Sequence, residues 1–552
     1  EIQPQSSTTT TTKSIHMRSF SLSSRRGSQT EQRRALARRG RWAVRLVAGL
    51  CIGIVSYHLM WTYWLAGVFV PEYEIDKTTG RKKIRRRPEL LTKQDIVTKK
   101  QVPTSPFDGV MEGVLTLINI ILPPDGLVEK DDAQVWNEDG IGQGASYAGV
   151  QGVFCHISWE RQQRDPSSVP MFRDLQQQSP LCRGTTITIN DMDLHQLTLQ
   201  ARLYDQNKHN FTATAARAGH QIVPPTAVVF HETRCGSTLV SNMLASSMPN
   251  QVRSYSESNP PLLALMACDV LKEGGKYCDP LAQRQLIQDV FYLMGRVTRP
   301  EKPQYVYYKI QSIGARYISQ FRNAMPRTPW AFVFRDSVEV LMSHFKNYQK
   351  GQPISAVGPR PVCLRSYGKP PEQQHALLHQ MAQSHNRTIS SWSKEEFCAA
   401  HLATLARSAL DEYRAIAQES GSGGSSAKNK NSAAVYKKRH RNEWFWNYNQ
   451  LPHVIWEDWL PRLHVGYVSP DMVERMQKVS NVYSKNKSPP AADKKQQPVV
   501  QILQGNNNDN REWHEDSSMK QQRAPDSIKK AARLFLDPLY QEMQAIQMEQ
   551  NE

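Results

Sequence analysis

Ala227-Val-Val-Phe-His-Glu-Thr-Arg-Cys-Gly-Ser-Thr-Leu-Val-Ser-Asn-Met-Leu244 is the stretch whose reading decides the fold. It opens on a short apolar, β-branched run, Ala227 to Phe230, which reads as a buried strand. The polar turn His231 to Gly236 follows, and Leu239, Val240, Met243 and Leu244 then recur at helical spacing. Strand, tight turn and helix N-terminus in succession leave free backbone N–H groups facing the turn, where the helix dipole favours negative charge. Gly236 lets the backbone approach an anion closely, Ser237 and Thr238 offer hydroxyls, and Arg234 adds a fixed positive charge. Arg234, Cys235, Gly236, Ser237 and Thr238 are therefore expected to cradle a phosphate.

The cradle differs from that of the nucleotide triphosphatases. Set against G-x-x-x-x-G-K-[ST], the first glycine is His231 and the lysine is Ser237. Without that lysine the β- and γ-phosphates lose their main charged contact, which disfavours a P-loop kinase or ATPase. A second stretch, Trp330-Ala-Phe-Val-Phe-Arg-Asp-Ser-Val-Glu-Val-Leu-Met-Ser-His-Phe345, again runs from apolar strand into helix. Arg335 ends the strand, and Ser343 falls about two helical turns later. Guanidinium on one side and hydroxyl on the other suit a second phosphate group.

The pattern Arg-x-Gly-Ser-Thr after a strand resembles the 5′-phosphosulfate loop of membrane-bound, Golgi-type sulfotransferases. An arginine ending a strand, with a serine eight positions on, is similar to the 3′-phosphate motif of that family. The resemblance implies an α/β fold with a P-loop-type parallel sheet flanked by helices, preceded by a single transmembrane helix. It further implies 3′-phosphoadenosine 5′-phosphosulfate (PAPS) as co-substrate and no metal. Arg234 would steady the bridging oxygen, Gly236 to Thr238 would hold the 5′-phosphate, and Arg335 with Ser343 the 3′-phosphate. Arg253-Ser-Tyr-Ser-Glu-Ser-Asn-Pro-Pro261 places Glu257 before a proline-rich bend, and resembles the segment where Golgi sulfotransferases carry a catalytic glutamate. In a desolvated cleft its pKa is expected to rise toward working pH. Glu257 and Arg234 are thus the expected catalytic residues, with His231 as the second choice of base. Gln304 to Ile310 reads as a further strand, whose Lys309 faces either the cleft or solvent. His453 to Leu460 resembles the late strand of the family, with Trp456 in place of a tyrosine. Arg475 to Lys487 is the expected lid, although no glycine follows Lys485 and Lys487 as the family pattern requires.

The chain has 552 residues, is 39% hydrophobic and carries a formal charge of +18, so one sizeable core and long polar segments are expected together. The charge does not point to nucleic acid, because no zinc-finger spacing, RNP-like aromatic motif or basic helix accompanies it. It reads as a membrane flank and a preference for anionic ligands. Residues 1–45 read as a disordered basic cytoplasmic tail. Residues 46–70 hold no Lys, Arg, Asp or Glu and are long enough to span a bilayer, with Trp61, Tyr63 and Trp64 as interfacial anchors. Residues 71–104 form a charged stem, and 105–222 remain unassigned. Residues 223–548 would be the sulfotransferase-like domain, with flexible insertions near 420–440 and 488–511 and a terminal helix from Asp526 to Met548. His156, Glu160 and His195 lack metal-ligand spacing and read as core or solvated side chains.

Eight arginines from Arg25 to Arg45 precede the span and seven Lys/Arg from Lys77 to Arg87 follow it in the company of Glu72, Glu74 and Asp76, so the positive-inside rule leans only slightly to a cytoplasmic N-terminus. Cys51 lies in the span and Cys235 in the turn. The other six cysteines fit an oxidising lumen and allow fifteen connectivities. The sequence-local set, 155–182, 268–278 and 363–398, is the expected one. Asn210-Phe-Thr212 and Asn386-Arg-Thr388 are glycosylation acceptors in such a compartment. These features, with the resemblance, imply a single-pass type II protein of the Golgi membrane with a lumenal catalytic part. Its acceptor would be a glycan or glycoprotein hydroxyl, with a protein tyrosine as second choice. The alternatives are a catalytically inactive, tethered binding module and a P-loop kinase.

Overall fold

In the computed structural model the chain divides into two units, Glu1–Asp95 and Ile96–Glu552. The described residues are 105–128, 134–137, 140–143, 146–210, 220–298, 303–345, 361–365, 367, 372–422, 442–463, 467–482 and 517–551, with the hairpin strands Tyr73–Ile75 and Lys82–Ile84 in the first unit. The expected tail, the span 46–70, most of the stem, most of the insertion near 420–440 and all of 488–511 fall outside them, while the helix Lys394–Ser422 runs into the first of those insertions. Among the described residues no helix is long and apolar enough to cross a membrane.

The second unit is mixed α/β, built on a five-stranded parallel sheet. Its strands are β1 (Pro225–His231), β2 (Val252–Ser256), β3 (Tyr305–Lys309), β4 (Trp330–Phe334) and β5 (Glu443–Asn447), in the order β2-β3-β1-β4-β5. Continuous apolar runs such as Trp330-Ala-Phe-Val-Phe334 suit strands covered on both faces, and all five of those residues are buried. Side-chain alternation sends Val228, Phe230, Tyr308, Phe332 and Phe445 into one core. There they meet helices α2 (Asn259–Glu273), α3 (Pro280–Met294) and α5 (Lys394–Ser422). Ala227, Val229, Tyr307, Val333 and Trp446 enter the opposite core, against α1 (Ser237–Ser247), Trp459 and α6 (Pro470–Ser480).

The chain leaves β1 toward β2 on one side, and leaves β4, through α4 (Ser337–His344), toward β5 on the other. Such a divergence opens a crevice at the carboxyl ends of the two strands. Both predicted phosphate motifs end there.

Two expectations are corrected. The late strand is Glu443–Asn447, all five residues buried, whereas Ile455–Trp459 forms a π-helical turn that buries Ile455 and Trp459 one turn apart. After α7 (Ser517–Arg523), the terminal helix is two, α8 (Asp526–Phe535) and α9 (Asp537–Asn551), because Pro538 disfavours helical backbone at the residue before it and suits the first turn of a new helix. Pro525 holds the N-cap position of α8.

The unassigned segment packs on the sheet. Its strands Thr116–Ile121, Gln151–Cys155 and Ile187–Thr188 form an antiparallel sheet. Gln162 continues the edge of β2 with its amide, donating from Nε2 to the Ser254 carbonyl at 2.8 Å and accepting from the Ser254 N–H at 3.0 Å. An exposed edge is thereby closed. His195 Nδ1 lies 2.9 Å from Asp289, which also accepts from Tyr147 and Gln285, so this histidine belongs to a buried hydrogen-bond network. Glu160 is exposed at the start of a short helix.

Cys155–Cys182, Cys268–Cys278 and Cys363–Cys398 are disulfide-bonded, the sequence-local set. Asn386 is exposed at the turn after the helix Glu372–Ser384, with φ +51°. In the other sequon, Phe211 and Thr212 lie outside the described residues.

Candidate functional site

The turn after β1 carries two residues in the left-handed backbone region, Arg234 at φ +64° and Gly236 at φ +85°. Gly236 precedes α1, and its carbonyl accepts from Val240 N–H at 3.2 Å. A Cβ built on Gly236 would lie 2.4 Å from Tyr448 Cδ2, so only glycine fits under that ring. Arg234 is exposed at the tip of the turn; Cys235 beneath it is buried and outside any disulfide. Ser237 and Thr238 begin the helix and are buried.

Glu257 follows β2, also left-handed at φ +57°. Among the described residues only three that are not glycine have positive φ, and Arg234 and Glu257 are two of them. Such conformations cost about 1–3 kcal/mol each and gather at sites where chemistry needs them. The Glu257 N–H donates to the Lys309 carbonyl at 2.7 Å, and Lys309 Nζ donates to Glu257 Oε1 at 2.6 Å. The ammonium lies 3.4 Å from Thr238 Oγ1 and is buried, while the carboxylate keeps 22% of its surface exposed. Lys309 thus faces the cleft and returns to the turn the cation that Ser237 does not supply. Glu257 sits against that ammonium, not in the purely desolvated setting expected, and two prolines begin α2 after it where a bend is expected. His231 Nε2 stands 4.0 Å from Glu257 Oε1.

Arg335 directly follows β4, its side chain buried. Nε donates to Glu339 Oε2 at 2.6 Å, Nη2 donates to Ser517 Oγ at 3.2 Å, and the guanidinium carbon lies 4.0 Å from the centre of the Tyr448 ring. Tyr448 therefore touches both motifs, its edge on Gly236 and its face on Arg335. Ser343 lies two turns along α4, where its hydroxyl donates to the Glu339 carbonyl at 2.8 Å. Glu232, inside the first motif, is buried and accepts from the Arg335 N–H at 2.6 Å. Burial pushes its carboxyl up to about 8.

Beside the turn, a cleft of about 480 Å³ is lined by Leu239, Tyr448, Leu451, Trp456, Gln477 and Asn481. Its size and aromatic walls are those of a small-molecule pocket. Of the expected lid, Gln477 and Asn481 line this cleft. Arg475 donates to the Ser246 and Ser247 carbonyls and so caps the far end of α1, while Lys485 and Lys487 lie outside the described residues. Glu232, Tyr448, Glu339 and Ser517 escape the sequence reading. Glu232 sits in the quoted turn but resembles a surface acid, and the other three have no local signal.

The arrangement can hold two anionic groups a ring's width apart, with a carboxylate and an ammonium beside the first. Neither a protein-family profile nor a curated sequence matches this chain.

Proposed function

We propose that the protein is a membrane-anchored sulfotransferase of the Golgi lumen that moves a sulfuryl group from PAPS to a hydroxyl of a glycan, or secondarily of a protein tyrosine. The observation that carries the reading is the single Tyr448 ring seated on both Gly236 and Arg335. Two strand ends offering anion contacts so close together suit a nucleotide phosphorylated at both 5′ and 3′ positions better than a linear triphosphate. The adjoining cleft, with Trp456 and Tyr448 in its wall, has room for the nucleoside.

In this scheme the acceptor oxygen attacks sulfur in line as the bond from sulfur to the bridging oxygen breaks. Glu257 takes the acceptor proton. Lys309 Nζ donates to Glu257 Oε1 at 2.6 Å and so holds the carboxylate in place. Charge developing on the departing 5′-phosphate is met by Arg234, the Thr238 hydroxyl and Lys309, with Gly236 allowing the backbone to come close. Arg335 takes the 3′-phosphate. No step calls on a metal.

Transfer of radiolabelled sulfate from PAPS to a panel of glycans and tyrosine peptides tests the reading. Wild-type protein should label at least one acceptor, and Arg234→Ala should lower the rate by about 10²–10³-fold. Silence of the wild type across the panel, or full activity of the variant, would overturn it; phosphate transfer from ATP in its place would favour a kinase.

A further inference from the structure

We propose that Glu232 is a positioning residue that ties the turn after β1 to the end of β4 and so fixes the spacing of the two anion sites. The inference rests on the reading of those strand ends as phosphate sites. Its basis is geometric. The Glu232 N–H donates to the Val333 carbonyl at 3.2 Å, and its Oε1 accepts from the Arg335 N–H at 2.6 Å. Backbone and side chain of one residue thus grip β4 on both sides of Phe334. Two residues on from Glu232 is Arg234, exposed at the tip of the turn, and Arg335 carries the guanidinium of the second site.

An ordinary β1–β4 ladder would hold the strands but not the loops beyond them. The last paired residues are His231 with Val333, and Glu232 makes the next contacts from the β1 side to Val333 and Arg335. A buried acid is a costly choice for such a task unless it is neutral. The groups facing it are Arg335 just past β4, Asp336 from the following turn and Tyr540 from α9. The Arg335 N–H and guanidinium both favour an ionised Glu232, but burial outweighs them, and the guanidinium is shared with Glu339. Burial holds the carboxyl protonated up to about pH 8. Above that, an added negative charge lies between two sites that must each take a phosphate. Donor affinity should therefore fall with rising pH for a reason that involves no atom of the donor.

Glutamine preserves the accepting oxygen and removes the titration; alanine removes both. Wild type, Glu232→Gln and Glu232→Ala would be titrated calorimetrically with adenosine 3′,5′-bisphosphate and with adenosine 5′-monophosphate at about pH 7 and about pH 9. Amide exchange at Arg335 would be followed without ligand. Alanine should weaken the bisphosphate about tenfold and the monophosphate much less, and should speed exchange at Arg335 about tenfold. Glutamine should match wild type near pH 7 and lose less affinity than wild type at the higher pH. Equal losses for both nucleotides in the alanine variant, or the same pH loss in the glutamine variant, would overturn the proposal. Should alanine prevent folding, the glutamine pH series decides alone. If wild type bound neither nucleotide, the sulfotransferase reading would fall, whereas unchanged exchange at Arg335 in the alanine variant would overturn the pin itself.

Discussion

Glu257→Gln should lower kcat by about 10²–10⁴-fold while leaving affinity for adenosine 3′,5′-bisphosphate nearly unchanged. The glutamine keeps the length of the side chain and an oxygen for Lys309, so packing is preserved and only the proton acceptor is lost. Glu257 reaches its position through a left-handed backbone at φ +57°, held by its own N–H to the Lys309 carbonyl. That hydrogen bond does not depend on the side chain, so the variant retains the loop. Lys309 is the complementary probe. Changing it to methionine would strand the carboxylate and remove the cation near Thr238, so both kcat and donor affinity should fall. A Glu257→Gln enzyme with wild-type turnover would remove Glu257 as the base and direct attention to His231, 4.0 Å from the same oxygen.

Gly236→Ala should weaken donor binding by about 100-fold, as much as the loss of one strong charge-assisted hydrogen bond. Two effects combine. A residue with a Cβ pays about 1–2 kcal/mol for the left-handed backbone at φ +85°. The new methyl would also lie 2.4 and 2.6 Å from two atoms of the Tyr448 ring, closer than any packed carbon tolerates, so the ring must move. Tyr448 is also the platform under the Arg335 guanidinium. One methyl group on the first anion site should thus disturb the second, seen as a raised KM for PAPS and lost discrimination between bisphosphate and monophosphate. A variant that keeps wild-type KM would mean that Tyr448 is not part of the donor site.

What the sequence shows and what it hides follow from how far each interaction reaches along the chain. β1, β3 and β4 are legible because each is a run of apolar or aromatic residues followed by turn or helix signals. β5 carries a weaker mark: Glu443-Trp-Phe-Trp-Asn447 begins on a charged residue beside a Gly/Ser/Lys/Asn-rich spacer, while His453-Val-Ile-Trp resembles a strand more closely. Its place beside β4 comes from a partner more than a hundred residues earlier. The same holds in the site. Arg234, Gly236 and Glu257 stand in short motifs whose chemistry is local. Lys309 is visible only as a lysine ending a strand, and the choice between cleft and solvent depends on Glu257 across the sheet. Tyr448 and Ser517 act on Arg335 over long separations, which no window of sequence contains. The six bonded cysteines lie between these cases: parity and compartment foretell bonds, and the pairing of neighbours in sequence is confirmed by the fold.

The most direct test compares the binding of adenosine 3′,5′-bisphosphate and adenosine 5′-monophosphate to the wild-type protein and to Arg335→Ala by titration calorimetry. A charge-assisted contact to the second phosphate is worth about 1.5–3 kcal/mol, so the bisphosphate should bind at least about tenfold more tightly to the wild type. That advantage should disappear in Arg335→Ala while monophosphate affinity stays the same. Equal affinities for the two nucleotides in the wild type, or an undiminished preference in the variant, would contradict the claim that two neighbouring strand ends hold the two phosphates of one nucleotide.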